Sequence, residues 1–140
     1  MMILRFLFSA AAFVAATYSL SAYSSPDKII PEPVEYSVSE GFHNLKGDGS
    51  DIKVYLSDAE FASKIKDLPS FAQEEAYRLV VGRKGVRIYA KTEEGAFRAA
   101  QCLEMMRLID RDIQFCDIFD YPRFQHRGVM LDEYINSLDY

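Results

Sequence analysis

The sequence has no tryptophan, and only two cysteines and two histidines among 140 residues. Each shortage narrows the chemistry. Aromatic rings are the usual platforms for pyranose faces, so the missing indole weakens a lectin reading slightly, although nine tyrosines and ten phenylalanines remain. Cys102 and Cys116 have no second cysteine at CxxC spacing, and His43 and His126 stand alone, so no zinc site is expected. No lysine- or arginine-rich run occurs and the formal net charge is −5, which argues against a nucleic-acid partner. Nucleophile-elbow, phosphate-loop and dinucleotide fingerprints are missing, as are internal repeats and low-complexity tracts. No cofactor is implied.

What is present is the composition of a folding chain, 49% apolar and 26% charged, at a length suited to one ordinary domain. The first 22 residues stand apart. Arg5 gives a positive start, residues 6–20 form an apolar run broken only by small or hydroxylated side chains, and Ser19-Leu20-Ser21-Ala22 offers small residues for cleavage. This pattern reads as a secretory signal peptide cut after Ala22. The alternative is an uncleaved anchor, for which the run is short against the roughly 20 residues of a membrane span. Cleavage would remove one of 16 basic residues and none of the 21 acidic ones, leaving 15 against 21, a net charge of −6. The expectation is an exported, periplasmic or secreted acidic protein with no membrane span after cleavage. Export would allow Cys102 and Cys116 to pair, whereas the place of Cys102 in a predicted helix favours a buried free thiol.

Along the chain, two prolines flank Glu32 and hold the entry extended before residues 34–38 alternate in the strand period. IKVYL at Ile52–Leu56 alternates again, between Gly47-Asp48-Gly49 and Asp58. Residues 60–68 read as a short helix stopped by Pro69. Residues 77–81 and 86–90, joined by Gly82-Arg83-Lys84-Gly85, read as a hairpin. Thr92 is a natural N-cap with Glu93 and Glu94 in the first turn, opening a helix to about Ile109 whose face is Ala96, Ala99, Ala100, Leu103 and Met106. Its small residues suit close packing across the hairpin. Residues 113–119 read as a further, edge strand. The acidic pairs Glu74-Glu75, Glu93-Glu94 and Asp110/Asp112 read as solvated charge at a loop, a helix start and a helix end.

Three stretches, IIPEPVEY, then EEAYRLVVGRKGVRIYAKTEEGAFRAAQCLEMM, then DYPRFQHRGVMLD, resemble the start of the β-N-acetylhexosaminidases of glycoside hydrolase family 20. The resemblance implies an α+β accessory domain, a small antiparallel or mixed sheet with helices packed on one face, followed by the first strand of an incomplete (β/α)8 barrel at Val129-Met130-Leu131. The implied organisation is a signal peptide at 1–22, the accessory domain at 23–119, and the start of a truncated catalytic barrel at 120–140. The implied full-length activity is removal of terminal N-acetylhexosamine from glycans by a substrate-assisted retaining mechanism, with the rest of the barrel supplied in cis or by a neighbouring chain. By position Arg127 would bind sugar hydroxyls, since a guanidinium offers several donors in one plane. Within these residues alone, an ion pair from Arg127 to Asp120 or Asp132 is the plainer expectation. Asp132-Glu133 is an adjacent acidic pair, but it lies in the first-strand stretch without the histidine-glycine-glycine lead of the family's catalytic pair, so no catalytic residue is assigned. The other reading is a stand-alone exported carbohydrate-binding or interaction module with the same accessory fold.

Overall fold

The computed structural model describes residues 24–128. The expected signal peptide, the Val129-Met130-Leu131 strand and the Asp132-Glu133 pair lie outside the described residues.

Five strands, β1 (Glu35–Asn44), β2 (Ile52–Leu56), β3 (Tyr77–Gly82), β4 (Gly85–Ala90) and β5 (Asp112–Asp120), form one mixed sheet in the order β1-β5-β3-β4-β2. The hairpin of β3 and β4 falls where alternation and the Gly-Arg-Lys-Gly turn place it, with Leu79 opposite Ile88 and Val81 opposite Val86. β2 adds parallel to β4, and β5 pairs antiparallel with both β3 and β1. The segment at 113–119 is therefore an inner strand, not the edge expected from sequence. Its Ile113, Cys116 and Ile118 are buried, and both its backbone edges are used. The true edges are β1 and β2.

Gly85 makes the β2–β4 junction possible. Its φ of +108° is in the region that L side chains avoid, and a Cβ there would run into the backbone carbonyl of Asp51. That carbonyl accepts the Val86 N–H at 2.9 Å and sets the parallel register.

Among the described residues a 3-10 turn at Pro26–Lys28 and three α-helices complete the fold: α1 (Ala59–Ile65), α2 (Ser70–Glu75) and α3 (Glu93–Ile109). Asp58 caps α1 by accepting the Phe61 N–H at 2.9 Å, and Thr92 caps α3 by accepting the Gly95 N–H at 3.2 Å. Gly95 also lets α3 start against the preceding chain, since a Cβ there would meet the Ala76 carbonyl. From α3, Ala99, Cys102, Leu103 and Met106 pack on Leu79, Val81, Val86, Ile88, Cys116 and Ile118. Ala96 is only half-buried and Ala100 is exposed, so the buried stripe is rotated from the expected one toward Cys102. Cys102 and Cys116 are both free and buried; burial pushes their thiols up to about 11 and about 12, the character of packed, unreactive sulfur.

Helices on one face only is a further expectation that fails. Phe119 alternates with Ile118 and so points away from α3; it meets Phe61 of α1 edge-on at 6.3 Å, and Ile65 joins the same cluster. Glu60 and Lys64 of α1 reach Arg78 and Glu35. Thus α3 covers one face and α1 one end of the other. α2 occupies part of the region read as a loop. Two turns with no apolar period carry little signal in sequence. It is held by buried Ala72 and by Gln73, whose amide donates to the Leu68 carbonyl at 2.8 Å.

Candidate functional site

A cleft of about 220 Å³ opens where the end of β5 turns into the C-terminal segment, between the start of β3, the end of α2 and the first turns of α3. Its floor is formed by buried Tyr77 and half-buried Asp120. Asp120 accepts the Val34 N–H at 3.2 Å on one carboxylate oxygen and the Tyr77 hydroxyl at 3.4 Å on the other. Burial raises the Asp120 pKa above the usual carboxylate range despite these bonds, and burial likewise raises the Tyr77 phenol.

The wall is ionic. Glu75, at the C-terminal end of α2, accepts Arg98 Nε at 2.9 Å and Arg127 at 2.5 Å on the same oxygen. Burial opposes its ionised form, but the two guanidiniums outweigh this and hold its pKa below the usual range. Arg98 also reaches Glu94 one helical turn back at 2.9 Å. Glu75 is therefore the hub of an ion-pair network and not the solvated loop charge read from sequence. Arg127, the expected sugar contact, is brought to Glu75 and not to Asp120, while Asp132 lies outside the described residues. Arg123 donates to the Glu32 carbonyl at 3.1 Å and pins the outgoing chain to the incoming one.

Chemically the cleft offers guanidinium donors, aromatic edges and the carboxylates of Glu32, Glu75 and Asp120, of which Glu75 is taken up by Arg98 and Arg127. Among the described residues no three His, Cys, Asp or Glu side chains converge as metal ligands. His43 pairs with Asp51 at 2.6 Å at the far end of the sheet and ties β1 to the start of β2.

Residues 48–121, more than half of the chain, match the family model of glycosyl hydrolase family 20, domain 2. The chain belongs to glycosyl hydrolase family 20. The matched span runs from the loop before β2 through β5 to Tyr121, so Glu75, Tyr77, Arg98 and Asp120 lie inside the family's domain 2 and Arg127 lies after it. Solved structures of the family share the fold. An exo-β-N-acetylglucosaminidase from Vibrio harveyi, in complex with N-acetylglucosamine, is 21% identical with a TM-score of 0.51 over 81% of this chain and 22% of that one. The same enzyme as an inactive mutant gives a TM-score of 0.52 at the same identity and coverage. A chitobiase from Flavobacterium johnsoniae is 20% identical over 75% of this chain and 22% of that one, with a TM-score of 0.49. The chain thus spans about a fifth of the length of these family members. Comparison with curated proteins gives no match.

Past the end of the matched domain 2, Arg123 and Arg127 tie the chain that leaves β5 back to Glu32 and Glu75. The sequence signal for this was the DYPRFQHRG segment; the partner Glu75 had none, because its role depends on a contact across 52 positions.

Proposed function

We propose that this chain is the amino-terminal, accessory-domain part of an exported β-N-acetylhexosaminidase. A domain of this kind presents the first barrel strand while the remaining barrel supplies the catalytic carboxylates. The observation that carries the reading is the domain 2 match over residues 48–121, followed directly by the DYPRFQHRG segment leaving β5. Domain 1–22 acts as the signal peptide, 23–119 as the accessory domain, and 120–140 as the entry to the barrel.

Hydrolysis by the family's route needs a proton donor at the glycosidic oxygen, and general acid catalysis is typically worth about 10²–10⁴ in rate. No described residue is placed for that role. The experiment is expression with the leader intact, collection of the exported fraction, and assay on an aryl N-acetyl-β-glucosaminide. The mature mass should begin at Tyr23. The 140 residues alone should give no turnover, and the same residues joined to a family 20 barrel should give activity that falls sharply in Arg127→Ala. Robust turnover by the 140 residues that disappears in Glu133→Gln would overturn the reading.

A further inference from the structure

The edge of the sheet away from the cleft carries a second surface. Parallel pairing of β2 with β4 sets Tyr55 beside Tyr89 and, two residues on, Lys53 beside Arg87. Alternation puts all four on the face opposite to Val54 and Ile88, the face that α3 does not cover. The Tyr55 and Tyr89 rings stack, with centroids 5.1 Å apart and planes 15° apart. Arg78 lies over Tyr89 at 5.9 Å. Because β2 is the outer strand, no strand among the described residues stands beyond Tyr55, which is 40% exposed. Beyond Gly85 the hairpin turn adds exposed Arg83 and Lys84. From Tyr89 back to Lys84 is on the order of 17 Å along the strand, room for several sugar rings.

Unpaired cations occur elsewhere too, as at Lys66 and Arg111, but here the pairing of β2 with β4 sets two of them side by side, next to a basic turn. Arg78, Arg98, Arg107 and Arg127 each have a carboxylate partner. Among the described residues, the side chains of Lys53, Arg83, Lys84 and Arg87 have none. Like charges set directly opposite on a sheet cost stability, and this happens in a chain with an excess of acid. A lysine that guards a free edge strand accounts for Lys53 alone. It leaves Arg87, the basic turn and the open tyrosine ring without a reason.

We propose that this surface docks an acidic polysaccharide, a chain of N-acetylhexosamine units bearing uronate or sulfate groups. The apolar face of a pyranose stacks on Tyr55, and its anionic substituents reach Lys53, Arg87 and the turn. A nucleic acid fits less well, because a duplex carries one charge per roughly 1.7 Å and would bring many phosphates against an acidic protein. A glycan with about one or two charges per disaccharide brings far fewer. The choice of N-acetylhexosamine rests on the proposed function, but the binding needs no barrel and no catalysis, so the two can fail separately.

The test is calorimetric titration of the purified chain with a chondroitin 4-sulfate hexasaccharide, with uncharged N-acetylglucosamine hexamer, and with a single-stranded hexanucleotide. The expected result is that the sulfated sugar binds tightest and weakens as salt is raised. Tyr55→Ala and the double variant Lys53→Glu/Arg87→Glu should each lose about tenfold or more, the equivalent of one ordinary contact. Tyr55→Phe, which keeps the ring and the fold, should bind like the parent. No binding of the sulfated sugar, equal binding of the uncharged hexamer, tighter binding of the hexanucleotide, or full affinity in Lys53→Glu/Arg87→Glu would each overturn the proposal.

Discussion

Gly85→Ala is the sharpest test of how the sheet is assembled. The added methyl must either collide with the Asp51 carbonyl or force Gly85 out of its φ of +108°. An L residue in left-handed backbone costs roughly 1–2 kcal/mol. Moving Asp51 weakens the 2.9 Å bond from Val86, a net loss of about 1 kcal/mol. Against this, alanine restricts the unfolded chain and returns roughly 0.4–1 kcal/mol. The net expectation is a destabilisation of about 2 kcal/mol, or roughly 10 °C in Tm for a domain of this size. Urea and thermal unfolding measure it directly. Gly82→Ala is the control in the same turn, since its Cβ meets nothing within 4 Å, and it should be neutral or slightly stabilising. A Gly85→Ala protein within about 0.5 kcal/mol of the parent would refute the claim that this glycine sets the β2–β4 register.

Two further outcomes follow from the cleft. Burial raises the folded-state pKa of Asp120, so its contribution is fully present below the ordinary carboxylate value near 4 and is lost as pH rises through the folded one. Asp120→Asn keeps an acceptor for Val34 and should therefore gain on the parent between pH 4 and pH 7 in urea midpoints; an equal difference at both pH values would sink this account. Glu75→Gln weakens the hold on Arg127, and tryptic cleavage after Arg127 should speed up severalfold while cleavage after Arg87 stays the same. Unchanged cleavage after Arg127 would show that the ion pair does not restrain the outgoing chain.

The local elements are legible in the sequence. The hairpin follows from alternation on either side of one turn, and α3 from Thr92, its acidic first turn and its apolar spacing, because each of these signals is complete within a few residues. It also carried the family, through short motifs that need no partner to be read. Where β5 inserts is visible in the folded sheet alone, since an inner and an edge strand differ in what lies beyond them and not in their own period. The same holds for α1, whose Phe61 and Ile65 mark a buried stripe without saying which face of the sheet buries it. Both charged sites are tertiary for the same reason. No basic run exists in the sequence, yet pairing β2 to β4 sets Lys53 beside Arg87, and the fold of α2 against the end of β5 gives Glu75 two arginines from distant segments. Contacts between residues far apart in the chain are fixed by which strands close the sheet, and that choice is made by the whole core at once.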